Sequence, residues 1–128
     1  NPAIPLLTTG IALLPLLIPE RVHAAGNTYY ICSGTLDAPD WWDTSDCISG
    51  SGGQSPDDGD TGVVVGTITL TGTYNIGTGG NIGTLTVDAG GDLTVNSGTL
   101  NMNSGALDVA NGGHLTVNSG TLTINNGG

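Results

Sequence analysis

The chain has 128 residues, of which 23 are glycine, none is phenylalanine and only 9% are charged. Eleven acidic residues are set against a single arginine and no lysine, so the formal net charge is −10. Because the chain has almost no cations to neutralise phosphate groups, we expect no nucleic-acid binding, and anionic membrane surfaces are disfavoured for the same reason. The composition is typical of a repetitive, turn-rich β protein.

An apolar leader, residues 1–24, opens the chain. Residues 2–19 carry no charge, and Ala24 and Ala25 place small residues at a candidate signal-peptidase cut. One interpretation is a secretory signal peptide, which predicts a protein that is secreted or held at the cell surface. The alternative is a retained segment that packs between subunits, or that anchors the chain in a membrane through residues 2–19. That stretch is at the short end of the ~20 residues a membrane helix needs.

Residues 25–48 hold both cysteines and most of the aromatic residues. Residues 29–31, Tyr-Tyr-Ile, predict a short strand because aromatic and β-branched side chains fit a pleated surface. In an exported chain, Cys32 and Cys47 most simply form one disulfide. Closing a loop of about 15 residues in this way contributes ~3 kcal/mol in the chain-entropy model.

Trp41 and Trp42, inside this disulfide loop, are candidate ligand contacts. Aromatic faces stack on the apolar faces of sugar rings, so the pair suggests glycan binding. Adjacent residues of a strand point in opposite directions, so only one of the two can face a ligand. The alternative is a small core plug or cap for the domain that follows.

Residues 49–62 are rich in glycine, serine and aspartate, and predict a flexible acidic linker. Within them, Asp57, Asp58 and Asp60 resemble a fragment of a calcium loop, in which alternate oxygen ligands surround a hard cation. The later glutamate that completes such a loop is missing, so solvated linker carboxylates are the alternative. We expect no cofactor apart from this calcium candidate.

Residues 63–128 are repetitive. The octapeptide at 93–100 recurs letter for letter at 115–122, an offset of 22 residues. Repetition at a fixed period is the signature of a solenoid, in which each unit buries its apolar side only against the next unit. Successive leucines stand 8, 7, 7, 8 and 7 residues apart, so that any three consecutive steps total 22. The clearest triplets begin at Leu85, Leu93, Leu100, Leu107, Leu115 and Leu122.

In each triplet two apolar residues flank a Thr, Asn or Asp, which is the alternation of a strand with one face inside. Glycine and asparagine between triplets tolerate the positive φ of sharp corners. The predicted fold is therefore all-β: a right-handed parallel β-helix, or three-sided β-solenoid, with about 22 residues per coil. The side chains expected to carry stacking and assembly are Leu93, Val95, Leu115, Val117, Leu122 and Ile124.

No pattern in the chain indicates catalysis, and we do not expect an enzyme. Asp88, Asp92 and Asp108 lie on or near the outer surface of the predicted strands, and paired carboxylates can act as acid and base. The 22-residue period, however, places no second acid beside Asp108. His23 and His114 are isolated, with no nucleophile or acid in a recognisable pattern.

Outward threonines in the triplets raise ice binding as a further alternative. Such surfaces present two threonines per strand, whereas each triplet here offers one, and the rows are interrupted by Asn101 and Asp108. Stabilisation of β ladders by stacked threonines is the better interpretation.

With the leader, the Gly/Asn corners and the Gly-Thr-Leu-Thr-Val and Asn-Ser-Gly-Thr-Leu repeats, residues 63–128 resemble the β-solenoid passengers of bacterial autotransporters and filamentous adhesins. The resemblance implies an exported, extended structural or adhesive protein. The repeats reach residue 128 with no polar cap, so either the protein continues beyond it or that end docks on a neighbouring subunit. We expect an extracellular structural subunit that self-associates end to end in a filament or surface layer. The alternatives are a secreted adhesin or glycan-binding module using Trp41 and Trp42, and an accessory subunit anchored in a membrane by residues 2–19.

Overall fold

The computed structural model describes residues 26–37 and 40–125, and within them the protein is all-β, with strands and turns but no helix. The predictions for the leader, its cleavage site and its membrane anchor concern residues outside these ranges. The strands are β1 (Thr28–Thr35), β2 (Thr61–Leu70), β3 (Thr73–Ile76), β4 (Thr84–Val87), β5 (Asp92–Asn96), β6 (Thr99–Met102), β7 (Ala106–Val109), β8 (His114–Asn118) and β9 (Thr121–Ile124).

These strands pair in parallel, as predicted. Strand β1 pairs with β2, but from β2 onward no strand pairs with the one that follows it in the chain. Strands β3 to β6 each pair with the strand three places later: β3 with β6, β4 with β7, β5 with β8 and β6 with β9. A meander of hairpins would pair neighbours in antiparallel fashion. The regular spacing of the leucine triplets therefore places like strands side by side.

The pairings form three ladders. The first contains residues 61–64 of β2 with β4 and β7, and the second contains residues 67–70 of β2 with β5 and β8. The third contains β3, β6 and β9. We call β4, β5 and β6 the middle rung and β7, β8 and β9 the last rung. Between these two rungs every paired residue lies 22 positions from its partner, for example Leu93 opposite Leu115.

Alternate residues of each strand point into a single apolar cluster. In β4, Leu85 and Val87 are fully buried, whereas Thr84 and Thr86 are half-buried on the outer side. The same alternation holds in β5 and β6, so the triplet pattern correctly indicated which side chains face inward. The central part of the cluster consists of Ile68, Leu70, Ile76, Leu85, Val87, Leu93, Val95, Leu100 and Met102.

The N-terminal end of this cluster is closed by the segment around the disulfide. Strand β1 pairs along the free edge of β2, with a register shift between Ile31 and Ser33. Ile31 and Leu36 are fully buried, and Trp41 is only 2% exposed. The predicted strand at residues 29–31 is thus part of a longer one that joins the same sheet as the repeats.

Gly62 explains how Trp41 fits into this closed end. Gly62 stands opposite Leu85 in the first ladder, at a position where the repeats carry leucine. A Cβ on Gly62 would lie 2.6 Å from Cη2 of Trp41 and would also meet Ile82. The indole and Ile82 occupy the space of the missing leucine, so Trp41 acts as the core plug considered from the sequence.

The last rung, by contrast, leaves apolar side chains exposed. Val109 is 44% exposed, Val117 43% and Ile124 67%, whereas their partners in the middle rung, Val87, Val95 and Met102, are buried. Within residues 26–37 and 40–125, no strand pairs with the outer edges of β7, β8 and β9. This end of the cluster, which we call the open end, presents both unpaired strand edges and apolar surface.

The segment predicted as a linker, residues 49–62, is partly structured. Strand β2 begins inside it, at Thr61. The backbone N–H of Gln54 donates to the carbonyl of Trp41 at 2.9 Å, and Asp60 is 1% exposed. This segment has almost no apolar residues to bury and is held by polar contacts instead. Composition alone does not reveal such contacts.

Candidate binding site and assembly surface

The predicted disulfide is present. Cys32, in β1, is bonded to Cys47 with a Cα–Cα distance of 6.3 Å. The cross-link ties the loop that follows β1 back to the sheet. Disulfides form and persist in oxidising compartments, which is consistent with an exported chain.

Asp46 organises the tip of the disulfide loop. One oxygen of its carboxylate accepts hydrogen bonds from the backbone N–H of Ser49 at 3.0 Å, the N–H of Ile48 at 2.9 Å and the hydroxyl of Thr44 at 2.9 Å. These bonds, those from Ser49 first, favour the charged form and hold the pKa of Asp46 well below its usual range. The loop is therefore ordered although its side chains are exposed.

The three calcium candidates point at separate backbone groups. Asp60 accepts hydrogen bonds from the N–H of Asn27 at 2.8 Å and of Asp57 at 2.9 Å. Asp58 accepts from the N–H of Gly79 at 2.7 Å. No group of three or more His, Cys, Asp and Glu side chains in the described ranges is arranged to hold a metal ion. The carboxylates of Asp58 and Asp60 hold neighbouring loops together through these hydrogen bonds. The calcium site stays a prediction.

The acidic residues of the repeats are not brought together. Asp92 belongs to the second ladder and Asp108 to the first, where Asp108 stands opposite Thr86 as the period predicts. His114 follows Asp92 in its ladder, and its Nδ1 lies 3.1 Å from a carboxylate oxygen of Asp92. Both side chains are largely exposed, so a protonated His114 would make only a weak surface ion pair.

Trp41 and Trp42 point in opposite directions, as alternation requires. Trp41 is buried in the closed end and presents no open ring face. Trp42 is half-buried and packs on Gly52, where an added Cβ would lie 2.7 Å from Cε2 of the indole. Together they do not form a stacking platform.

Trp41 nevertheless lines a pocket of about 210 Å³ between the closed end and the third ladder. The pocket joins residues that are far apart in sequence and that share no motif. Its lining includes Asp37, Trp41, Gln54, Pro56, Tyr74 and Asn81.

Tyr74 is the unusual residue of this pocket. It stands opposite Leu100 in the third ladder, so a tyrosine replaces the leucine of the repeats. The residue is 3% exposed, and burial, assisted by the nearby carboxylate of Asp37, raises the pKa of its hydroxyl above the ordinary range. In the sequence, the only sign of this residue's special position is that tyrosine stands where the other repeats have leucine.

The six predicted assembly residues divide between the two rungs. Leu93 and Val95 are fully buried in the middle rung. Leu115 and Leu122 are half-buried and pack against the cluster, whereas Val117 and Ile124 are exposed in the last rung. Only the last-rung residues are therefore available for contact with another surface.

Comparison with protein-family models, with curated proteins and with solved structures found no match to this chain. Within residues 26–37 and 40–125, no helix has the length and apolar character needed to cross a membrane.

Proposed function

We propose that the chain is an exported extracellular structural protein, built as a right-handed, three-sided β-helix, that self-associates through its open end. The proposal follows the resemblance to autotransporter passengers and filamentous adhesins. The single observation that carries it is the apolar, unpaired last rung, in which Val117 and Ile124 are exposed.

The order of the ladders supports the β-helix. Strands β4, β5 and β6 enter the first, second and third ladders in turn, and β7, β8 and β9 repeat that order. A chain that visits three ladders in rotation and advances one strand position each time winds around a common axis. The buried leucines and valines of the three ladders belong to one cluster, as the interior of such a coil requires.

The open end has the physical properties of a self-association surface. Unpaired strand edges accept another strand, and exposed apolar side chains gain free energy when they are covered. The open end of another copy satisfies both needs, because its strand edges can pair with these in antiparallel fashion and its apolar side chains can cover them.

The distribution of charge also favours association through the open end. Seven of the eleven acidic residues lie between residues 37 and 60, in and around the closed end, whereas the last rung contains one, Asp108. Repulsion between copies of a chain with net charge −10 is therefore weakest where the open ends meet.

The closed end limits how copies of the chain can assemble. Joining two open ends covers the last rung of each copy and gives a pair. A filament or surface layer then needs a second contact, for which the leader, residues 1–24, and the acidic closed end are candidates. Secretion is supported by the disulfide and by the leader sequence.

The test is sedimentation analysis of the full chain over a range of concentrations, with two variants of β8. Val117→Asp places a charge on the inward side of the last rung, whereas Thr116→Asp places the same charge on the outward side of the same strand. We expect the wild type and Thr116→Asp to associate and Val117→Asp to remain monomeric. Dispersed monomers of the wild type at high concentration, in sedimentation and by electron microscopy, would contradict the proposal.

A further inference from the structure

We infer that the pocket between the closed end and the third ladder binds one neutral pyranose ring, such as the terminal sugar of a glycan. This binding function is separate from self-association, because none of the pocket residues lies in the last rung. It also differs from the sequence-based glycan hypothesis, since it does not use stacking on Trp42.

The pocket is held in place by hydrogen bonds around its rim. The N–H of Gln54 donates to the carbonyl of Trp41 at 2.9 Å. On the other side, the N–H of Asn81 donates to the carbonyl of Asn75, and the side-chain oxygen of Asn81 accepts from the N–H of Asn75, both at 2.8 Å. These bonds fix the backbone of Gln54 and both the backbone and the side chain of Asn81, so the rim of the pocket is already formed when a ligand arrives.

Several polar groups at the pocket keep their hydrogen-bonding capacity. Within the described residues, the hydroxyl of Tyr74, the carboxylate of Asp37 and the side-chain amide of Gln54 have no hydrogen-bond partner. Asn81 uses its side-chain oxygen but keeps its NH₂ group. Tyr74 is almost wholly buried, and no fully buried side-chain N or O atom of the described part lacks a partner, so its hydroxyl opens onto the pocket.

This set of groups matches the chemistry of a sugar. Adjacent ring hydroxyls both donate and accept hydrogen bonds, and the pocket offers an acceptor carboxylate, two amide donors and a hydroxyl that does both. Pro56, which is half-buried, adds apolar surface for the C–H groups of the ring. A few convergent polar groups beside apolar surface are the usual composition of a specific ligand site.

Charge and size narrow the ligand class. An anionic ligand would face the carboxylate of Asp37, and no Lys or Arg lies within residues 26–37 or 40–125 to compensate. A simple cation would use Asp37 but would gain nothing from the amide donors of Gln54 and Asn81. The volume of about 210 Å³ is below the range of drug-sized sites, roughly 300–1,000 Å³, and suits a single ring.

The experiment is titration of the isotope-labelled full chain, followed by NMR, with methyl pyranosides of glucose, galactose, mannose and N-acetylglucosamine. Tetramethylammonium chloride is titrated separately, to test whether the pocket binds a simple cation instead. We expect at least one pyranoside to shift the indole signal of Trp41 and the side-chain amides of Gln54 and Asn81. Tetramethylammonium should leave those signals unchanged.

Two variants assign the binding to this pocket. Tyr74→Phe removes only the hydroxyl, and Gln54→Ala changes a half-buried residue and provides the test if Tyr74→Phe does not fold. Each should weaken the pyranoside about fivefold, the effect of one lost hydrogen bond. Thr94→Ala, on the outer side of the second ladder, should bind as the wild type does. The inference is overturned if none of the pyranosides causes shifts at tens of millimolar, if only tetramethylammonium does, or if neither pocket variant weakens binding.

Discussion

The most informative perturbation is a pair of identical substitutions, Val95→Ala and Val117→Ala. These two valines face each other in the second ladder, 22 residues apart in sequence. Val95 is fully buried, whereas Val117 is 43% exposed. The chemistry of the change is the same at both positions, so any difference in effect comes from their surroundings.

The expected magnitudes follow from these environments. Valine to alanine removes two carbon groups, which is about 1.6 kcal/mol of transfer free energy for a buried side chain. At Val95 the cavity left behind adds to this loss, and we expect a total decrease in the free energy of unfolding of about 2–3 kcal/mol. At Val117 in the monomer we expect less than ~1 kcal/mol, because much of the side chain is already in water.

Urea unfolding followed by circular dichroism measures both values, provided that the slope of the transition is unchanged in the variants. The measurement is repeated at low and high protein concentration. If open ends associate, Val117→Ala costs more at high concentration, since the pair that it weakens stabilises the folded state by mass action. Equal losses at the two positions, or a loss below ~0.5 kcal/mol at Val95, would refute a common buried cluster with one open end.

Three further predictions concern the closed end and the pocket beside it. Replacing both Cys32 and Cys47 by serine should lower the free energy of unfolding by ~3 kcal/mol, measured by denaturant unfolding against the oxidised wild type; an unchanged midpoint would contradict it. Gly62→Ala should lower the free energy of unfolding by about 1–3 kcal/mol, because the added methyl group overpacks against Trp41. It should also shift the fluorescence emission of Trp41 to the red. If the variant has the stability and emission of the wild type, the indole is not packed against Gly62. The pKa of Tyr74 is raised in the folded state, so the unfolded chain ionises first, and stability should fall as pH rises past about 10. Tyr74→Phe should lose less stability over that range, and parallel stability curves for the two proteins would contradict this.

The repeats could be predicted from sequence because one constraint decides each position. In Leu93-Thr94-Val95 a shift of one residue would bury the threonine and expose both apolar side chains, so the register is strongly specified. The same octapeptide 22 residues later then predicts which strands lie side by side, and the pairing of Leu93 with Leu115 confirms it.

The closed end could not be predicted in the same way, since its contacts are irregular. Strand β1 joins β2 with a shifted register, and no period in the sequence leads from Thr28 to its partner Thr61. Gly62 reads as a turn residue in the sequence, yet its role is to leave space for Trp41. The sequence predicts Asp60 as a calcium ligand or a solvated linker residue, because its partners are backbone N–H groups, which composition does not reveal.

The pocket was missed for a related reason. Its polar groups come from separate segments, with Asp37 after β1, Gln54 in the loop before β2 and Asn81 after β3. None of them belongs to a motif, and only the folded chain brings them together. The exchange of leucine for Tyr74 in an otherwise apolar ladder is a local anomaly that becomes informative once the register is known.

The central claim is that the repeats pair in parallel at a spacing of 22 residues. Nuclear Overhauser contacts between backbone protons of the isotope-labelled protein test it most directly. Parallel pairing at this spacing predicts cross-strand contacts between Thr94 and Thr116 and between Asn101 and Thr123. Antiparallel contacts between triplets that follow each other in the chain, such as those at Leu93 and Leu100, would contradict it.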